Sequence, residues 1–270
     1  TSCVEMHAEN LDIKSVKLYS TELNSEKSTF EDPIKSVEKV NWDRSSDALS
    51  WSVNEGIGYK LRLSFGQDLE QGKIYVISLG YVANIRTDLR GFYQSHYSSE
   101  DNVKHYMGVT QFESVDARAA FPCFDEPSFK ATFKVSITLE AENVSEYVIL
   151  SNTGEESSKS SGPNSRTVVF KRTPRMSTYL LAWVVGEMDS IHDSVVVGGR
   201  TVPVSLYAPI HQADKGKYAI ETAVKVVQAL VEYWDIKECI LDKLDVLAIP
   251  DFDAGAMENF GLITFRTVYL

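Results

Sequence analysis

The sequence predicts a mainly β N-terminal domain, an antiparallel saddle or sandwich, followed by the opening of a mixed α/β domain. Three observations carry this. Short alternating apolar and polar runs, separated by frequent turn residues, fill the chain to about Ser190. The composition changes after Asp189. One long amphipathic helix pattern then stands between two apolar strand runs. The domains are accordingly drawn at 1–190 and 191–270.

In chain order, the first alternating runs are Ile13 to Leu18, Ala48 to Val53 and Tyr59 to Phe65. A turn-rich break over Gly66 to Gly72 precedes a run from Lys73 to Ile85. Asp88 to Tyr97 reads as a turn leading into an aromatic strand. The clearest alternation is Phe129 to Leu139. It sets Phe129, Ala131, Phe133, Val135, Ile137 and Leu139 on one face and Lys130, Thr132, Lys134, Ser136 and Thr138 on the other. That is the pattern of an antiparallel strand with one face in a core and one in water. Further strands are expected at Tyr147 to Leu150, Thr167 to Lys171 and Tyr179 to Val185. Glu155 to Ser165, rich in Ser, Lys and Gly and carrying Pro163, reads as a mobile surface loop. No internal repeat is visible.

Beyond residue 190, Val202 to Tyr207 is a predicted strand. Asp214 is placed as the cap of a helix from about Lys215 to Tyr233. Ile220, Ala223, Val224, Val227, Leu230, Val231 and Trp234 recur at helical spacing and define one apolar face. Glu221, Lys225, Gln228 and Glu232 fall largely opposite. Leu244, Val246, Leu247, Ala248 and Ile249 read as a buried strand ended by Pro250. Leu262, Ile263, Phe265, Val268 and Tyr269 read as another. By spacing alone, the segment between them is a hairpin turn with a solvated acid, Glu258.

Composition narrows the function classes. Of 270 residues, 43% are hydrophobic and 24% charged, an ordinary globular balance. Asp and Glu total 38 against 27 Lys and Arg, a net charge of −11 that argues against a nucleic-acid surface and suits cationic partners, peptide amines among them. The cysteines, Cys3, Cys123 and Cys239, do not describe a disulfide framework and lean towards a reducing compartment. Cys123, between Pro122 and Phe124, is expected as a small core residue. Asn143-Val144-Ser145 is a lone glycosylation sequon. No run is long and apolar enough to span a bilayer and no signal peptide is visible, but the chain opens on Thr1, so this decides little. None of the five histidines forms a His-Glu-x-x-His helix motif, and no nucleophile elbow, phosphate loop or dinucleotide fingerprint is present.

Gly255-Ala256-Met257-Glu258-Asn259, followed by an aromatic residue and Gly261, resembles the exopeptidase signature of the zinc aminopeptidases of the aminopeptidase N family. Gln111 to Pro127, Gln-Phe-Glu-Ser-Val-Asp-Ala-Arg-Ala-Ala-Phe-Pro-Cys-Phe-Asp-Glu-Pro, resembles a second family block, and Asp88 to Tyr97 a third. Thr173 to Leu180 and Val184 to Glu187 favour the puromycin-sensitive, largely cytosolic branch.

The resemblance covers nearly the whole chain. It implies the family's N-terminal β domain and the start of its thermolysin-like catalytic domain, ending before the zinc-binding helix. It implies that Glu258 and Glu113 hold the α-amino group of a peptide and that Gln111 shapes the first subsite. It also implies that the backbone of Gly255, Ala256, Met257, Glu258 and Asn259 bonds the substrate main chain. A protonated amine offers three donors and one charge, which a fixed carboxylate satisfies together. The implied parent is a metalloaminopeptidase using Zn2+, acting on peptides with a free N-terminus. No catalytic residue and no metal ligand is expected within these residues, and the isolated segment is expected to bind no zinc and to be inactive. The compartment implied is cytoplasmic, the alternative being a membrane-anchored extracellular enzyme. In the rest of the Gln111 block, Asp116, Arg118, Asp125 and Glu126 are candidates for an ion-pair network that fixes the loop. The rival reading is a non-catalytic peptide- or protein-binding module, or a truncated isoform.

Overall fold

The computed structural model describes residues 1–22, 45–47, 50–54, 56, 58–66, 68–99 and 101–270. Its contacts divide the chain into two compact units, one of residues 1–84 with 118–124 and one of residues 85–117 with 125–270.

Among its described residues the first unit holds two three-stranded antiparallel sheets. The first sheet contains β1 (Cys3–His7), β5 (Lys60–Ser64) and β4 (Ser50–Asn54), in that order; the second contains β3 (Ser45–Asp47), β2 (Asp12–Glu22) and β6 (Lys73–Val82). Met6, Ala8, Leu11, Val16, Leu18, Leu61, Leu63 and Phe65 form its core. The alternation of β5 explains its place: Leu61 and Leu63 are buried while Lys60 and Arg62 are exposed. The expected strands near residues 13, 59 and 73 are present. Ala48 and Leu49, the start of the expected run to Val53, lie outside the described residues, as does Gln67 in the turn-rich break. Residues 118–124 are stitched to this unit by paired backbone bonds between His7 and Cys123. Arg118 donates to the Gly58 carbonyl at 3.1 Å. Cys123 is buried, as its apolar neighbours suggest.

In the second unit, β7 (Gly91–Ser98) and β8 (Lys104–Gln111) pair along their whole length. With β13 (Trp183–Gly186) and β10 (Val148–Ser151) they form a sheet ordered β10-β13-β8-β7. A smaller antiparallel sheet is made of β9 (Ser136–Glu140), β12 (Ser165–Phe170) and β11 (Glu155–Ser160), with β12 in the middle. Two expectations are corrected here. Phe129–Leu139 is not one strand: only its end, from Ser136, joins a sheet, and Ala131 bridges Met176 in isolation. Phe129 is accordingly exposed. Glu155–Ser165 is not a loop but an edge strand and its turn, paired with β12. An edge strand with both faces in water needs no apolar alternation, and its Ser, Glu and Lys are what such an edge tolerates.

The remaining sheet has the order β14-β15-β16-β18-β17 and mixes pairing directions. Its strands are β14 (Met188–Val197), β15 (Arg200–Pro209), β16 (Leu244–Ile249), β17 (Ala256–Met257) and β18 (Leu262–Arg266). β16 runs parallel to both β15 and β18, so the segment between β16 and β18 is a crossover and not the hairpin its spacing suggests. Helix α1 (Lys217–Tyr233) packs on one face of this sheet, over Val195, Val204, Leu206 and Ala248. Its contact runs through Ile220, Val224, Val227 and Val231, four of the seven residues of the stripe in sequence; Leu230 and Trp234 are exposed. Asp214 does not cap it. Asp214 lies in a 3-10 turn, Ala213–Gly216, and pairs with Lys217 at 3.2 Å, while Gly216 holds the cap position. Among the described residues no helix is long and apolar enough to cross a membrane.

Candidate functional site

The signature lies on the edge strand β17 and the turn that follows it. The Gly255 carbonyl accepts from the Arg266 amide at 3.0 Å, and Met257 pairs with Thr264. Gly255 and Met257 therefore turn their backbone groups to β18, and Ala256 turns its own to the open edge. Side chains alternate across the same segment. Met257 and Asn259 are 0% and 1% exposed, whereas Ala256 and Glu258 face solvent. The buried pair anchors the strand: Asn259 accepts at its carbonyl from the Leu262 amide at 3.1 Å and donates from Nδ2 to the Leu262 carbonyl at 3.2 Å. The Glu258 carboxylate has no hydrogen bond or ion pair among the described residues, and is open to a cation.

Both ends of the crossover are tied down, the entry to β7 and the exit to residues that flank β10 and β16. At entry, the Tyr93 hydroxyl donates to the Asp251 carbonyl at 2.8 Å, and Ser95 Oγ accepts from the Asp251 amide at 3.0 Å. The Asp251 carboxylate accepts from the His96 amide at 2.9 Å. At exit, Asn152 Nδ2 donates to the Phe260 carbonyl at 2.8 Å and Lys243 Nζ to the Gly261 carbonyl at 2.8 Å. Tyr93 is fully buried, and burial, with Asp251 beside it, pushes its hydroxyl pKa up, so it stays a donor.

Gln111 ends β8, opposite Gly91, two residues beyond the Val109–Tyr93 pair. It therefore lies on the face of the sheet that carries Tyr93. Its Nε2 reaches the Glu113 carbonyl at 3.5 Å, while its Oε1 is buried and has no partner among the described residues. Glu113 is exposed, with its carboxylate unpaired among the described residues, and the peptide bond to Ser114 is cis. In the rest of this block, Asp116 pairs with Arg90 at 3.3 Å and Asp125 accepts from Thr178 Oγ1 at 2.7 Å.

Residues 1–180 match the Peptidase M1 N-terminal domain, and residues 218–270 match the Peptidase family M1 domain. The chain belongs to peptidase family M1. It is 44% identical over 210 residues to aminopeptidase M1-D of Oryza sativa subsp. japonica, an overlap covering 78% of this chain and 23% of that protein. Aminopeptidase M1 of Arabidopsis thaliana is 42% identical over 210 residues, again 78% and 23%. The puromycin-sensitive aminopeptidase of Caenorhabditis elegans is 41% identical over 191 residues, covering 70% of this chain and 19% of that protein. The overlap thus spans less than a quarter of the length of these relatives.

Sequence reasoning missed the residues that hold the M1 signature in place. Asp88–Tyr97 reads as a strand of core aromatics, yet Tyr93, Ser95 and His96 are the entry tether. Their alternation, with Tyr93, Ser95 and Tyr97 buried along β7, was legible; that Ser95 is a polar residue on a buried face was the available signal. Lys243 and Asp245 pair at 2.6 Å with 12% and 6% side-chain exposure. Burial pushes the lysine amine down and the aspartate carboxyl up, and each charge draws the other back towards ionisation.

Proposed function

We propose that this chain is the N-terminal part of a zinc metallo-aminopeptidase that removes single residues from peptide N-termini. Its share of the work is recognition: Glu258 and Glu113 hold the α-ammonium, Gln111 helps to shape the first subsite, and the open edge of Ala256 bonds the peptide main chain. The observation that carries this reading is the alternation in the signature. Met257 and Asn259 are buried as anchors while Glu258, exposed and unpaired among the described residues, is offered on a rigid support. In water a lone carboxylate attracts an ammonium weakly; on an edge strand that also binds the peptide backbone, orientation is fixed and the charge reads one end of the substrate.

The residues described do not fit a zinc site. No three of their His, Cys, Asp and Glu side chains are placed to share a metal. In this reading Zn2+, which polarises a carbonyl and activates water when bound, is held by residues outside this segment. The β domain of the proposal runs over 1–190 and the catalytic domain begins at 191. Three free thiols favour a reducing, cytoplasmic compartment over an extracellular one. The test is a comparison of free and N-acetylated forms of one peptide with the full-length protein. Release of the N-terminal residue from the free form alone supports the reading; equal turnover of both contradicts it.

A further inference from the structure

We infer that Asn152 and Lys243 are positioning residues for the Glu258 carboxylate, setting through the exit of the signature where the substrate ammonium is met. The inference rests on the amine-binding reading of Glu258 and adds residues that the signature itself does not contain.

Glu258 has no side-chain partner of its own among the described residues, so its place is set by the backbone on either side. On the C-terminal side that backbone is held at three successive positions. Asn259 closes on Leu262. The Phe260 carbonyl accepts from Asn152 Nδ2, and the Gly261 carbonyl accepts from Lys243 Nζ and from the Asp245 amide at 3.0 Å.

The two side chains that do this are fully committed. Asn152 is 1% exposed. Its Nδ2 donates at 2.8 Å both to Phe260 and to the Leu180 carbonyl, and its Oδ1 accepts from the Ala182 amide at 2.8 Å. One amide thus joins the segment leading into β13 to the signature. Lys243 has three donors and uses three acceptors: the Ser151 carbonyl at 2.6 Å, the Asp245 carboxylate at 2.6 Å and the Gly261 carbonyl at 2.8 Å. The approach is close. A Cβ on Gly261 would stand 2.2 Å from the Asn152 carbonyl oxygen. Ser151, at the end of β10, and Asn152, just beyond it, are therefore held against Phe260 and Gly261, two and three positions from Glu258, through the Asn152 amide and the Lys243 ammonium.

The experiment uses the full-length protein and the ratio of kcat/KM for a free dipeptide amide to that for its des-amino analogue. Asn152→Ala removes one half of the clamp. Lys243→Met with Asp245→Asn removes the other and leaves no lone charge buried, which keeps a folded variant within reach. Each should lower the ratio about tenfold, mainly through a higher KM for the free amine, with the analogue's kinetics nearly unchanged. Glu258→Gln in the same assay separates the two levels. If it lowers the ratio while both clamp variants leave it unchanged, the clamp is ordinary packing and the inference falls alone. If Glu258→Gln leaves the ratio unchanged, the amine-binding reading falls and takes the inference with it.

Discussion

The hydroxyl of Tyr93 donates to the carbonyl of Asp251 at 2.8 Å across a sequence separation of 158 residues. This single bond fixes where β16 ends and where the crossover to the signature begins. Tyr93→Phe keeps the buried ring and removes only the donor, leaving the carbonyl unpaired. It should cost about 1–2 kcal/mol, read as a lower midpoint in urea with an unchanged slope.

Gly261 carries φ of 69° and sits against the Asn152 backbone. Gly261→Ala places a Cβ where backbone already stands and in a conformation L residues avoid. The expected loss of about 2 kcal/mol or more contrasts with Gly199→Ala, where φ is also positive but nothing lies within 4 Å, and where about 1 kcal/mol is expected. Paired denaturation curves check the difference.

Asp242 accepts from the Gly154 amide at 3.2 Å and from Lys171 Nζ at 3.0 Å. Burial alone would raise its pKa, but the lysine and the amide outweigh it and hold the carboxyl below its ordinary value. Its folded pKa lies under the unfolded value of about 3.9, so its stabilisation is present above that pH and is lost as pH falls through the folded value. Asp242→Asn should be less stable than the parent at pH 7, and the gap should close below about pH 4. Urea midpoints from pH 7 to 3 give the answer; a gap independent of pH would remove the charge from the account.

The helix was legible in type and only partly in contact. Ile220 is buried against the sheet, but Leu230 and Trp234 of the same predicted face are exposed, as is Val226 outside it. Ile220→Ala should cost about 2–5 kcal/mol, and Val226→Ala less than about 0.5 kcal/mol. Thermal midpoints of the two variants test the assignment of the face.

Periodicity found the strands whose two faces differ, such as β5 with Leu61 and Leu63 against Lys60 and Arg62. It failed where that contrast is missing. β11 is polar on both faces, so nothing in Glu155–Ser160 marks a strand except its partner. Phe129–Val135 alternates well but leaves the sheet, because tertiary contacts and not local pattern decide where pairing stops. The crossover was hidden for a related reason. Leu244–Ile249 and Leu262–Arg266 look like hairpin arms, and strand direction is not encoded in the alternation of either. The signature was readable as a motif, while its supports, Tyr93, Asn152 and Lys243, act across the fold and leave no local trace.

The most direct measurement is the effect of Glu258→Gln on the full-length protein with free and N-acetylated forms of one peptide. The substitution removes the charge and keeps the size. A charge-assisted hydrogen bond contributes about 1.5–3 kcal/mol, so kcat/KM for the free peptide should fall roughly tenfold to a hundredfold, with bound zinc unchanged. The acetylated peptide offers no ammonium, and its slow turnover should change far less. An equal loss on both peptides, with zinc retained, would make Glu258 a structural residue of the turn and contradict its role as the reader of the N-terminus.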